Sequence, residues 1–185
     1  DYSSFIAQIP DDVDGFFLGV GGTGTVAFVN QYTQLQGNLA DKIMGGIFMT
    51  DPVILKELGD QVVGVVTAGM TSGDSQEPAY LEYTQQIEDS YPDLAGTGSS
   101  VFLYGYYTAM EAIAQALEQV DGDLSDEHAA FRDALANLEL DAPLGTIKLD
   151  ENRQAIMDNF LQQIVEDQTG DGVPDVKTLK TIPEV

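Results

Sequence analysis

The sequence contains no cysteine, no tryptophan and a single histidine, and it has only 7 basic residues against 31 acidic ones. The absence of cysteine excludes disulfide frameworks, thiolate metal centres and cysteine nucleophiles together. His128 has no Ser–Asp pair and no metal-ligand spacing around it, so it carries no catalytic constellation. The shortage of Lys and Arg gives a net charge of -24. A surface this acidic repels phosphate backbones and anionic lipid, which argues against nucleic-acid and membrane-surface binding. No apolar run approaches the ~20 residues needed to span a bilayer. No signal peptide is present and Asp1-Tyr2-Ser3-Ser4 lacks an initiator Met, so the chain reads as a processed or partial one.

What is present is a foldable chain of 185 residues, 43% of them hydrophobic. That suffices for the core of one domain or two small lobes. The first half alternates strand and helix signals. Residues 2–9 read as an amphipathic helix stopped by Pro10. Residues 15–20 form a short apolar run between glycines, the pattern of a fully buried parallel strand. A helix over 25–35 closes near Gly37. A second strand spans 42–49, and Asp51-Pro52 supplies an N-cap and a first helical residue for a helix ending at Gly59. A third strand, rich in β-branched residues, covers 61–67. Strand, helix, strand, helix, strand at this spacing predicts an α/β fold with a parallel sheet.

The second half is more helical. Helices are expected over 75–91, starting near Glu77-Pro78, and over 101–120, with small residues Ala109, Ala112 and Ala116 along one side. Ser125 reads as the N-cap of a further helix, with Asp126 and Glu127 in its first turn and His128 at its third position. Residues 142–149 give a turn and a short strand. The period of 159–166 fits strand or helix, and the terminal stretch is polar and turn-rich.

Several motifs carry candidate chemistry. Gly19-Val20-Gly21-Gly22-Thr23-Gly24 matches G-x-G-x-x-G between a strand and a helix, the context of a dinucleotide site. The acidic residue required at the end of the next strand is missing: Asp41 precedes that strand and Asp51 lies beyond it. What survives is a helix N-terminus with free N–H groups and glycines that let a small polar group approach the backbone. Residues 167–175 place oxygen side chains at alternate positions as a calcium loop does, with Gly172 at position 6, but Thr178 stands where a bidentate Glu belongs. A turn between two terminal strands is the default reading. Tyr104, Tyr106 and Tyr107 read as core and interface aromatics, and Glu111 as solvent-facing.

Taken in order, these signals resemble the type I periplasmic solute-binding proteins of branched-chain amino acid ABC transporters. Asp1-Tyr2-Ser3-Ser4-Phe5-Ile6 resembles the family's "D-F/Y-S" helix start, and residues 14–22 its next strand and cleft loop. Residues 42–51 and 62–67 are similar to the two strands that follow. Tyr107-Thr108-Ala109 is similar to its "Y-x-A" helix. Pro143-Leu144-Gly145-Thr146-Ile147 with Asp150-Glu151-Asn152 resembles "G-x-I-x-F-D-x-x-G", with Arg153 where Gly is usual.

The resemblance implies the C-terminal half of a two-lobed receptor, built as a three-layer αβα lobe around a parallel sheet. Residues 1–90 would be second-lobe strand–helix repeats and 91–140 a helical segment of the first lobe. Residues 141–185 would return as strands toward the hinge and second lobe. It places Gly21, Gly22 and Thr23, together with Gly46, Ile47 and Phe48, at the ligand cleft. Amino-acid binders of the family often carry Tyr at the first loop and an acid for the ligand ammonium at the second; this chain has glycine and Gly46-Ile47-Phe48. An unpaired ammonium there would cost several kcal/mol, which favours a less cationic or more apolar solute.

The function implied is an extracytoplasmic solute-binding component of an ABC importer for amino acids or related small organic solutes. It would close two lobes on its ligand without catalysis, cofactor or metal, and its partners would be the permease membrane subunits, not nucleic acid. A sensory ligand-binding domain and a nucleotide-dependent enzyme using the Gly19–Gly24 turn are the alternatives. Self-association is expected through an apolar face left by a missing lobe.

Overall fold

Short apolar runs flanked by glycine become one side of a mixed sheet in the computed structural model, which describes residues 1–40 and 42–185. Strands β1 (Phe16–Leu18), β2 (Ile43–Gly45) and β3 (Val66–Gly69) are parallel, with Phe17 beside Met44 and Met44 beside Val66. They are linked by helices α2 (Thr23–Gln36) and α3 (Pro52–Leu58). Strands β7 (Asn159–Val165) and β8 (Asp175–Ile182) extend the sheet antiparallel, giving the order β1-β2-β3-β7-β8.

Alternation along the strands sorts the two faces. Leu18, Ile43 and Ile164 point to one face, where they bury Phe28, Val29 and Tyr32 of α2, Leu55 and Leu58 of α3, and Ile6 of the short helix α1 (Ser3–Ile6). Each such side chain contributes about 1.5–3 kcal/mol on leaving water. The other face of the same strands is bare: Phe17 is 68% exposed and its neighbour Met44 53%.

The second half forms two smaller clusters. Helix α4 (Pro78–Ser90) brings Tyr80, Tyr83 and Ile87 against Tyr104 of α5 (Val101–Gln119), Leu144 and Phe160. Strands β4 (Glu139–Ala142), β5 (Gly145–Leu149) and β6 (Ala155–Ile156) make a separate antiparallel sheet, whose Leu138, Leu140 and Ala142 pack under Ala112 and Ile147.

The α/β reading and the order of strands and helices through Gln119 hold. Four details differ. The second predicted strand stops at Gly45, because residues Ile47–Thr50 wind into a 3-10 turn. The third begins at Val66, after a further 3-10 turn over Gly59–Val62. Helix α6 (Ala129–Ala136) starts later than Ser125 predicts. Glu127 and His128 sit at positive φ, and Asp126, not Ser125, accepts from the Ala130 N–H at 3.0 Å. The polar C-terminal stretch yields an eight-residue strand. Residues 159–166 resolve as strand, with Phe160, Gln162 and Ile164 buried on one face.

The tyrosine cluster is a direct test of the second core. The Tyr104 hydroxyl accepts the Leu144 N–H at 3.2 Å, whereas the Tyr83 hydroxyl is buried without a partner. Tyr104→Phe is expected to destabilise by about 1–3 kcal/mol, because the Leu144 amide loses its acceptor. Tyr83→Phe is expected to be neutral or slightly stabilising in the same urea titrations. Burial pushes both hydroxyls up to about 12 from 10.0. Their stabilisation is therefore complete below pH 10 and is lost as pH rises toward about 12, which urea midpoints measured across that window will show.

Candidate functional site

The two predicted loops meet. Gly19-Val20-Gly21-Gly22 leaves β1 and enters α2, and Gly46-Ile47-Phe48 leaves β2 beside it. Gly22 is the N-cap residue of α2 at φ 58, ψ -138, a backbone conformation close to the glycine-only region. Its carbonyl accepts the Thr25 N–H at 3.0 Å. The Thr25 hydroxyl is buried and donates to the Val20 carbonyl at 2.6 Å, closing the loop on itself. Thr23 is exposed at the first helical position, so the first turn of a fourteen-residue helix presents its amides and positive dipole end outward.

Gly21 lies flush on an aromatic ring. A Cβ there would stand 2.9 Å from Cε2 and 3.0 Å from Cδ2 of Phe48. Phe48 in turn meets Phe102, in the first turn of α5, with ring centroids 5.7 Å apart and planes tilted by 32°. Phe102 is exposed on its other side. Glycine backbone, one half-buried ring and one exposed ring thus form a continuous wall. The remaining predicted residues turn inward. Ile47 packs on Gly69 at the end of β3, and the Gly46 carbonyl accepts from the buried Thr67 hydroxyl at 2.9 Å. Gly46 also faces Leu18 and Phe17 of β1. Phe102 was not among the sequence candidates. Its signal is an aromatic in the first turn of a helix that also carries Tyr104, Tyr106 and Tyr107, and spacing alone cannot direct it toward a loop 54 positions earlier.

The loops are fixed from below by Asp51. Its carboxylate is buried; one oxygen caps α3 by accepting the Val53 N–H at 3.1 Å, and the other accepts the Ser100 hydroxyl at 2.7 Å. No carboxylate stands at the C-terminal end of β2, where a ribose would need one, since Gly46 and Ile47 occupy it and Asp51 is engaged elsewhere. Asp41 lies outside the described residues.

The other candidates separate. Tyr104 is buried, Tyr107 packs on Tyr83 with centroids 4.7 Å apart, and Tyr106 is 74% exposed. Glu111 and His128 are exposed. In the 167–175 loop, Asp167 accepts from the N–H groups of Thr169, Gly170 and Gly172, and Asp175 accepts from Gln168 at 2.6 Å. The carboxylates are thus turned onto their own backbone, joining β7 to β8. These amides hold the Asp167 carboxyl below the usual range, led by those of Gly170 and Gly172. Thr178 bonds to Asp74 through both its hydroxyl, at 2.6 Å, and its N–H, at 2.9 Å. Burial alone would raise the Asp74 carboxyl, but the Thr178 and Ser72 hydrogen bonds outweigh it and bring it below its ordinary value. Among the described residues no group of three His, Asp or Glu side chains is placed to hold a metal ion. No helix among them is long and apolar enough to cross a membrane.

Residues 1–170 match the model of a family described as periplasmic binding protein. The chain belongs to that family. No curated protein matches it. Among solved structures, it is similar to an ABC transporter substrate-binding protein from Sphaerobacter thermophilus, at 22% identity and a TM-score of 0.85 over 100% of this chain and 49% of that one. It is also similar to an ABC transporter solute-binding protein from R. palustris in complex with benzoate, at 20% identity and TM-score 0.81 over 100% and 48%. A third is a leucine-, isoleucine-, valine-, threonine- and alanine-binding protein from Brucella ovis in its closed conformation, at 16% identity and TM-score 0.78 over 99% and 47%. The likeness is one of fold, and the periplasmic-binding-protein chain spans about half the length of these structures.

The loop geometry makes Gly22 a residue whose backbone conformation favours glycine. Gly22→Ala is expected to destabilise by about 1–3 kcal/mol, since a Cβ is strained at that φ and ψ although no neighbour crowds it. Chemical unfolding of the variant checks this, and an unchanged midpoint would mean that the loop relaxes freely.

Proposed function

We propose that this chain is part of an extracytoplasmic solute-binding component of an ABC importer, taking a small organic solute between two lobes and handing it to the permease membrane subunits. It does no chemistry on the solute. The observation that carries the ligand reading is the wall of Gly21, Phe48 and Phe102. A planar apolar body fits against the rings, and a carboxylate fits the open amides at the start of α2. Amino acids and related organic solutes are the wider class. Within it, Ile47 and Gly46 offer no acid to an ammonium, so an aromatic carboxylate is the preferred member. Benzoate in one similar structure supports this choice, while the branched-chain binder among the others keeps amino acids in the comparison.

The same reading assigns Gly21, Gly22, Thr23, Gly46, Ile47 and Phe48 to one side of the cleft, the first three to the polar end of the solute and Phe48 to its ring. Residues 1–90 and the returning C-terminal strands form the second lobe, and 91–140 belong to the first.

Thermal-shift and calorimetric titrations of the full-length protein against benzoate, hydroxybenzoates, leucine and alanine test the ligand. Aromatic acids are expected to raise the melting temperature by mass action and the aliphatic amino acids to do so less. Tight leucine binding with no response to benzoate would reverse the assignment.

The uncovered surfaces have a consequence for this stretch in isolation. Phe102, Tyr106 and Met110 run along one exposed side of α5. An apolar cavity of about 310 Å³ opens nearby between Gly105, Ala109, Leu138 and Ile147. Alone, the 185 residues are expected to self-associate through these faces and through Phe17 and Met44. Light scattering would show a concentration-dependent mass; a strict monomer would count against it.

A further inference from the structure

The wall just described rests on two rings from distant parts of the chain, and its geometry depends on what holds them together. Phe48 lies in the 3-10 turn after β2, and Phe102 in the first turn of α5. Neither element pairs with the other through backbone strands. The link closest to the rings is the Asp51–Ser100 hydrogen bond, three residues after Phe48 and two before Phe102. It is short, at 2.7 Å, and both partners are buried, Asp51 at 3% exposure and Ser100 at 6%. A hydrogen bond to a carboxylate in such surroundings is among the stronger non-covalent links available to a chain.

Ser100 also forgoes an alternative. It is the N-cap residue of α5, with φ -57 and ψ 127, the place where serine ordinarily accepts an N–H of the first turn. Here it makes no capping bond. Its hydroxyl is turned to Asp51, so a long helix begins without a side-chain cap while the loop bearing Phe48 is secured. Asp51 does both jobs, capping α3 with one oxygen and holding Ser100 with the other. The Asp51 N–H also donates to the Phe48 carbonyl at 3.3 Å, so the carboxylate sits on the same turn as the ring it steadies.

We propose that Asp51 and Ser100 are positioning residues that set the separation and tilt of Phe48 and Phe102, and through them the shape of the wall against which a planar solute lies. This rests on the aromatic-wall reading above. Without the clip the two rings keep their hydrophobic contact but lose a fixed tilt, and a wall of variable shape discriminates poorly between flat and branched ligands.

The test uses the full-length protein and two independent readouts. The first is the nuclear Overhauser cross-peak between the Phe48 and Phe102 rings, assigned by single Phe→Leu replacements. The second is affinity for benzoate, the probe ligand, against leucine. Ser100→Ala is expected to weaken or abolish the cross-peak and to reduce benzoate affinity about tenfold, equivalent to about 1.4 kcal/mol. Leucine affinity should change little, so the preference narrows. Ser100→Thr retains the hydroxyl and should restore both signals. Asp51→Asn keeps an acceptor and is expected to lie between them, whereas Asp51→Ala also strips the α3 cap and reports on folding. A cross-peak of unchanged intensity in Ser100→Ala overturns the proposal. So does an altered cross-peak with benzoate and leucine affinities unmoved. If the unaltered full-length protein binds neither probe, the ligand reading fails by itself, and the cross-peak still decides whether the clip positions the rings.

Discussion

The carboxylate of Asp51 is the constraint on which the candidate site depends. A buried carboxylate is costly unless every oxygen has a partner. Asp51 meets that condition by reaching in two directions, to the Val53 amide of its own helix and to the hydroxyl of Ser100. The second bond ties a loop at the edge of the main sheet to the helix that opens the second core. The sheet residues beneath add to the same fixation: Thr67, buried on β3, holds the Gly46 carbonyl, and Ile47 covers Gly69. Phe48 is therefore held on a fixed turn, half-buried against Gly21 and Phe102.

A chain with so few basic residues cannot satisfy its acids by pairing them. Among the described residues the ion pair found is Lys148 with Glu184, at 3.1 Å on the surface, where such a pair contributes little. Backbone amides do the work that cations do elsewhere. Asp123 accepts from Ser125, Asp150 from Asn152 and Gln154, and Asp167 from three residues of its own turn. The carboxyls of Asp150 and Asp167 lie below their ordinary range for this reason, and that of Asp123 does so through the Ser125 hydroxyl first and its amide second. The acidic composition thus has a local structural use as well as a solvating one. It accounts for how the calcium-like sequence of 167–175 makes a tight reversal between β7 and β8.

Where a local rule decides the structure, the sequence was readable. Asp51-Pro52 announced an N-cap and a first helical residue, and both are there. Gly19 to Thr25 announced a strand-to-helix turn, and Gly22 adopts the backbone that only glycine takes easily. Position 125 shows the limit. Ser125-Asp126-Glu127 satisfies the helix-start rule, yet the helix starts at Ala129, because a turn with two left-handed residues, Glu127 and His128, precedes it. Phe102 escaped for a different reason. Its importance comes from a contact with Phe48 that no periodicity encodes, and from a serine whose hydroxyl leaves its own helix. Contacts between distant loops are settled by tertiary packing, and a single sequence carries no record of them.

Gly21 gives the wall its particular character. The ring of Phe48 comes so near that even one methyl group would have to push it aside. The ring lies where it does only because position 21 carries no side chain. Any larger residue at 21 would displace the ring, and with it the face that Phe48 and Phe102 present together. In this molecule the lie of the wall is set by a missing side chain.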